Sequence, residues 1–217
     1  MNWLYKLEYK YGRKAPSNVM LYIVGGQILV WLVVMIAYAP LYNLIGLSRS
    51  AVLHGQIWRL VTFVFTPSLT NPLVFALELY LIYMIGTSLE RSWGSFKFDA
   101  YLVLGVLGAW LACFVTGYSG TGALYYSLFF AFAYLFPEVQ LLLFFVLPIK
   151  VKWIGWFAGA MYLFNILFSG SLRSSLGLIL GLLNFFVFFG KGSITGIKAG
   201  MEAKKRRREW QNQWRDR

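Results

Sequence analysis

This chain is poor in the residues on which catalytic and metal sites usually draw. It holds one histidine, His54, and one cysteine, Cys113. Cys113 lies inside an apolar run, so no internal disulfide and no metal-ligand cluster is expected. No cofactor is expected either. Acidic side chains are also scarce, with eight Asp and Glu against twenty Lys and Arg, for a net charge of +12. Charged residues make up only 13% of the chain, where an ordinary soluble domain carries about 25%. That excludes the soluble class. There is no inverted internal repeat of the sort that marks many transporters. No cleavable signal peptide is expected, because the first residues are polar and the first apolar run is too long for one.

Apolar and aromatic side chains fill the space: 59% of residues are hydrophobic and 19% aromatic, with a mean hydropathy of +0.62. The fold class this predicts is an all-α integral membrane protein. Apolar runs of membrane-helix character are predicted at 19–39, 72–88, 100–115, 121–136, 153–168 and 172–189. Proline or glycine stands at several of their ends, as at Pro40, Gly117, Gly120 and Pro137. Residues 40–71 carry too many breaks for one straight span and read as an interfacial or re-entrant loop. Residues 1–17 form a basic, aromatic amphipathic segment, residues 18–190 the membrane domain, and residues 191–217 a basic tail. Six spans place both termini on one side. The charge at both ends assigns that side to the cytoplasm by the positive-inside rule. Whether the membrane is a bacterial plasma membrane or the endoplasmic reticulum stays open. Membrane lipids are expected partners, nucleic acid is not, and the run Lys204–Arg208 offers a surface for lipid headgroups or a soluble partner.

The long polar stretch between the second and third runs is Leu89 to Phe98, which reads as a tight turn at the membrane surface. Glu90 and Arg91 are candidates for a helix-end hydrogen-bond and ion-pair hub that fixes the turn, with Gly94 permitting it and Phe98 among its aromatics. Trp58 and Arg59 suit either an interfacial anchor or a brace tying the first loop to the bundle. Gly177 and Gly181 are four apart and predict close packing against the fourth span. Asn165 and Asn184 read as interhelical hydrogen bonders. Glu78 is a carboxylate in mid-span, where such residues face a bundle interior or a hydrated cavity.

These motifs, in order and at their spacing, resemble the rhomboid superfamily over roughly residues 20–190. The residues that carry the resemblance are Gln56-Ile57-Trp58-Arg59, Gly86 to Phe96 around Leu89-Glu90-Arg91, Leu135-Phe136-Pro137, and Pro148 to Trp153. The resemblance implies a rhomboid-like six-helix bundle. Active members are intramembrane serine proteases, with the nucleophile at the start of the fourth span, the base a histidine in the sixth, and a His and an Asn in the second. Here the nucleophile's place falls near Gly122, the sixth-span histidine's at Ser175, and the second-span pair's at Val74 and Glu78. Gly117-Tyr118-Ser119-Gly120 matches the nucleophile string one turn early, and the single histidine lies in the first loop. Ser119 and His54 are therefore only weak catalytic candidates, since a serine needs a base to take its proton. The resemblance implies a pseudoprotease, similar to Derlins in Trp58-Arg59 and in Leu89-Glu90 followed by Asp99. The function expected is non-catalytic binding of client transmembrane segments, in membrane-protein quality control or trafficking. Two alternatives stay open: an intramembrane serine protease with an atypical catalytic group, and a small membrane transporter suggested by Glu78 alone.

Overall fold

The computed structural model describes Tyr9, Gly12 and residues 15–36, 41–68, 71–143 and 147–190. The amphipathic segment expected at 1–17 lies largely outside these residues, as does the end of the first span at 37–39. The basic tail 191–217 lies wholly outside them.

Helix α1 (Val19–Ile36) leads into the first loop. The loop holds α2 (Leu41–Ile45), a two-residue strand β1 (Leu47–Ser48), α3 (Arg49–Leu53), α4 (Arg59–Thr62) and a 3₁₀ turn at Phe63–Phe65. Helix α5 (Pro72–Trp93), α6 (Ser95–Thr116), β2 (Tyr118–Ser119) and α7 (Gly122–Leu135) follow. A hairpin of β3 (Gln140–Leu143) and β4 (Leu147–Lys150) connects to α8 (Val151–Phe168). The chain then forms α9 (Leu172–Gly181) and α10 (Leu183–Gly190). Among the described residues α1, α5, α6 and α8 are long and apolar enough to cross a bilayer, and α9 with α10 makes a fifth if taken as one bent span. This is a mostly helical, multi-pass membrane protein. Helix α7 is apolar but has 14 residues, roughly 21 Å at 1.5 Å per residue, against about 30 Å of hydrocarbon.

The tight turn expected within 89–98 is made at Gly94 (φ 82): α5 runs to Trp93 and α6 starts at Ser95. A positive φ is open to glycine and strained for most other residues. Glu90 and Arg91 are residues of the last turn of α5. Two expectations need correction. The last span is not straight, because α9 and α10 meet at 54°. No proline causes this bend. Asn184 Oδ1 accepts the Phe185 N–H at 3.0 Å, so this side chain intrudes on the helical ladder at the break. Asn165 is not an interhelical bonder, since its Nδ2 donates to the Met161 carbonyl one turn back on its own helix at 2.8 Å. The helix ends otherwise follow ordinary rules. Asn71 caps α5 by accepting from Leu73 N at 2.9 Å, with Pro72 at the first turn, and Gly117 (φ 96) closes α6.

Helix α7 is the enclosed element. It packs against α5, α6, α8 and α9, burying Leu124, Ser127, Leu128, Ala131 and Phe132. Inside the bundle, Asn184 Nδ2 donates to Ser127 Oγ (2.9 Å) and the Tyr101 hydroxyl donates to the Ser127 carbonyl (2.7 Å). Three helices are thereby joined by fully buried polar side chains. Helix α8 is the opposite case: it buries only Val151 and Tyr162. Trp156, Phe157, Leu163 and Leu167 are exposed on it, a surface suited to lipid. Trp93 packs its ring against Phe188 and Phe189, and Asn18 N donates to Glu90. The described chain next to each terminal segment therefore lies at the Gly94 end of the bundle.

Candidate functional site

The opposite end is organised by the first loop. Arg59 is 7% exposed. Its Nε donates to Gln56 Oε1, and its Nη1 donates to the carbonyls of Asn43 and Gly46, each at 2.7 Å. A guanidinium meets such diverging acceptors with a rigid planar fork. Trp58 is half-exposed beside it and donates to the Leu44 carbonyl at 3.3 Å. Leu47 and Phe63 bury themselves against Ala109 and Cys113 of α6. Trp110 Nε1 adds a bond to the Leu60 carbonyl at 2.8 Å. The loop is then stitched to the α6–α7 turn by strand pairing, Leu47 with Ser119 and Ser48 with Tyr118.

That stitching shapes a cavity of about 480 Å³ between α6, α7 and α9. Ser119, Gly120 and Gly122 line one wall, Thr116 the floor of α6, and Ser174 and Gly177 the other side. Ser119 therefore belongs to the cavity, while His54 does not. His54 lies in the exposed part of the loop with Nδ1 against the Ser50 carbonyl at 2.6 Å. The two weak catalytic candidates are not brought together. Ser175 is not the cavity-facing residue of its turn either. Its hydroxyl is used in the α8–α9 corner, with Ser169 Oγ and the Ile166 carbonyl both at 2.7 Å, and Ser174 takes the cavity position. Among the described residues no histidine, lysine or carboxylate lines the cavity. Gly177 lets α9 close on Thr116 of α6, and Gly181 on Ala123 of α7. The expectation that both pack on the fourth span is therefore right only for Gly181.

One turn further into α7 lies a second polar group. Gln27 of α1 is 2% exposed. Its Nε2 donates to the Val64 carbonyl at 2.8 Å and to the Tyr125 hydroxyl. Trp31, one turn along α1, stacks on Phe75 of α5, three residues before Glu78. Gln27 and Tyr125 were not singled out by the sequence reading. A lone glutamine in the middle of the first apolar run is the signal that could have found the first of them.

At the Gly94 end, Glu90 is 8% exposed. Its Oε1 accepts from Asn18 N at 2.9 Å and from Ser95 Oγ at 2.8 Å, so it ties the start of α1 to the α5–α6 turn. Asp99 stands beside it with both carboxylate oxygens buried and unpartnered among the described residues. Phe98 is fully buried and Arg91 exposed. Glu90→Ala leaves two donors without their acceptor, which should cost about 1–3 kcal/mol. A lower melting temperature in detergent is the expected outcome, with Glu90→Gln milder because it keeps an acceptor and removes the repulsion with Asp99. An unchanged melting temperature would show that Glu90 does not hold the turn. Nearby, Lys150 and Lys152 bond to Glu138 at 2.6 and 2.8 Å and bridge the base of the hairpin. These hydrogen bonds and charges hold the Glu138 carboxyl down at about 2.

No family model matches the chain, and no curated protein matches it.

Proposed function

We propose that this is a catalytically inactive, rhomboid-like membrane protein that binds transmembrane segments of client proteins, in membrane-protein quality control or trafficking. The observation that carries the reading is the 480 Å³ cavity. It lies at the start of α7, where the rhomboid resemblance expects a nucleophile, and holds Ser119, Ser174 and Thr116 without a base. A hydroxyl with nothing to take its proton is a poor nucleophile. In this reading α1, α5, α6, α7, α8 and the bent α9–α10 pair are six crossings. Both termini are cytoplasmic, as the basic charge at each end suggests. The short α7 is tolerable because its neighbours shield it from lipid, and the weakly buried α8 leaves a flank at which a guest helix can lie.

The test combines two readouts on the full-length chain. Incubated with a rhomboid substrate and a fluorophosphonate probe, the purified protein should neither cleave nor become labelled. Photo-crosslinking from positions on the inner faces of α5 and α8 in native membranes should capture single-span membrane proteins. Labelling that disappears in Ser119→Ala would overturn the reading in favour of an atypical serine protease.

A further inference from the structure

The polar group between α1, α5, α7 and the end of the first loop is more than the cavity chemistry needs. Gln27, Val64 and Tyr125 are linked by hydrogen bonds, and one turn along α1 Trp31 stacks on Phe75 of α5, three residues before Glu78. Two further polar groups flank them. Thr66 is two residues beyond Val64, is 8% exposed, and has a buried hydroxyl with no partner among the described residues. Trp31 is one turn beyond Gln27 on α1, and its buried Nε1 is likewise unpartnered. Buried polar atoms without partners are unusual, and each asks for an explanation such as a missing ligand.

The charge here is also incomplete. Glu78 is half-buried, and no hydrogen bond or ion pair reaches it among the described residues. A carboxylate at such a depth in a membrane helix is expensive unless it meets a cation or takes up a proton. Its position on α5 shows where a cation can come from. Phe75, Leu79 and Ile82 on one side of Glu78 are buried, while Val74 and Leu77 on the other are exposed. The carboxylate thus stands at the edge of the lipid-facing surface and is reachable sideways from within the bilayer. A metal ion would have to arrive through water, whereas a basic side chain of a neighbouring transmembrane helix arrives along this face.

We propose that Glu78, at the lipid-facing edge of α5, is a recognition site for a lysine or arginine carried inside a client transmembrane segment. The proposal rests on the client-binding reading and names the client's chemistry. A basic residue in hydrocarbon is as costly as the acid, so each has a reason to seek the other. Unpaired, both are penalised; paired, both are satisfied. Clients selected in this way would be transmembrane segments that have not found their own acidic partner.

The experiment uses the full chain in phosphatidylcholine nanodiscs. The probes are fluorescent single-span polyleucine peptides with a central Lys, Leu or Asp, and the readout is energy transfer to labelled protein. The Lys peptide should bind about tenfold more tightly than the Leu peptide, the scale of a good polar pairing between helices in a bilayer. Glu78→Gln should erase that difference, with a melting temperature at or above that of the wild type because an unpaired carboxylate is removed, which shows that the variant is folded. Glu78→Lys should reverse the preference toward the Asp peptide. Equal binding of Lys and Leu peptides to the wild type, or a Lys preference that survives Glu78→Gln, overturns this proposal and leaves client binding intact. No binding of any peptide sinks both. A sodium-dependent rise in melting temperature that needs Glu78, without a peptide preference, assigns the site to an inorganic cation and also overturns it.

Discussion

Arg59→Ala should lower the melting temperature in detergent by roughly 6–12 °C. The guanidinium is almost fully enclosed and donates to Gln56 Oε1 and to the carbonyls of Asn43 and Gly46. Hydrogen bonds to a charged group contribute roughly 1.5–3 kcal/mol each, so a net loss above about 3 kcal/mol is expected once partial hydration of the acceptors is allowed for. At about 2–4 °C per kcal/mol for a chain of this size, that gives the stated range. The damage should spread beyond the first loop. Gly46 immediately precedes β1, and β1 holds Ser119 and Tyr118 of the α6–α7 turn. Releasing Gly46 therefore loosens one wall of the 480 Å³ cavity. Arg59→Lys should recover less than half of the loss, because an ammonium cannot present the planar fork that the diverging acceptors need. A shift within about 2 °C for Arg59→Ala would show that Arg59 is an interfacial anchor and not a brace.

Gly108→Ala should be about as damaging, although it adds a single methyl group. A Cβ at Gly108 would lie 2.6 Å from the Leu180 carbonyl oxygen and 3.4 Å from Leu183 Cβ. The first of these is backbone, so no side-chain rotation relieves it. Helices α6 and α9 must separate, or the bend at Leu182 must change. Either movement strains the Asn184 bonds to Ser127 and to the Tyr101 carbonyl. Overpacking of this type typically costs about 1–3 kcal/mol and more where backbone must move, so a loss at or above the top of that range is expected. The matched control is Gly159→Ala on α8, where a Cβ meets nothing within 4 Å. It should be neutral or slightly stabilising, by about 0.5–1 kcal/mol, because alanine has the better helix propensity. Equal stability of Gly108→Ala and wild type in detergent melts would show that the α6–α9 contact is loose.

Much of this protein follows from composition and local pattern, because a bilayer imposes a simple rule. Apolar runs in a chain with few charges have few places to go other than hydrocarbon. The membrane class and the positions of most helices were legible for that reason. The chain's one histidine lies in its first loop, so none is available for its last span. Gly94 was readable as the turn, but not as the whole of it. The helices extend up to it because Glu90 finds Asn18 N and Ser95 Oγ, and Asn18 is 72 residues away in the chain.

What the tertiary structure alone decided are the features that depend on angle and on distant partners. Hydropathy over 172–189 is continuous across Leu182, and a residue count carries no direction. The 54° bend appears only when Asn184 meets Tyr101 and Ser127 on two other helices. The choice of Ser174 over Ser175 at the cavity is a matter of helix rotation, set by how Gly177 seats on Thr116. The hairpin of β3 and β4 was hidden because the leucine run at 141–143 lacks the alternation that marks a half-buried strand. The polar group at Gln27 draws on positions 27, 64 and 125, on three separate segments. In the sequence each is a single polar residue in or beside an apolar stretch. Only the packing of α1, α7 and the first loop joins Gln27, Val64 and Tyr125, because a buried polar atom is bound to seek a partner and the chain must bring that partner to it.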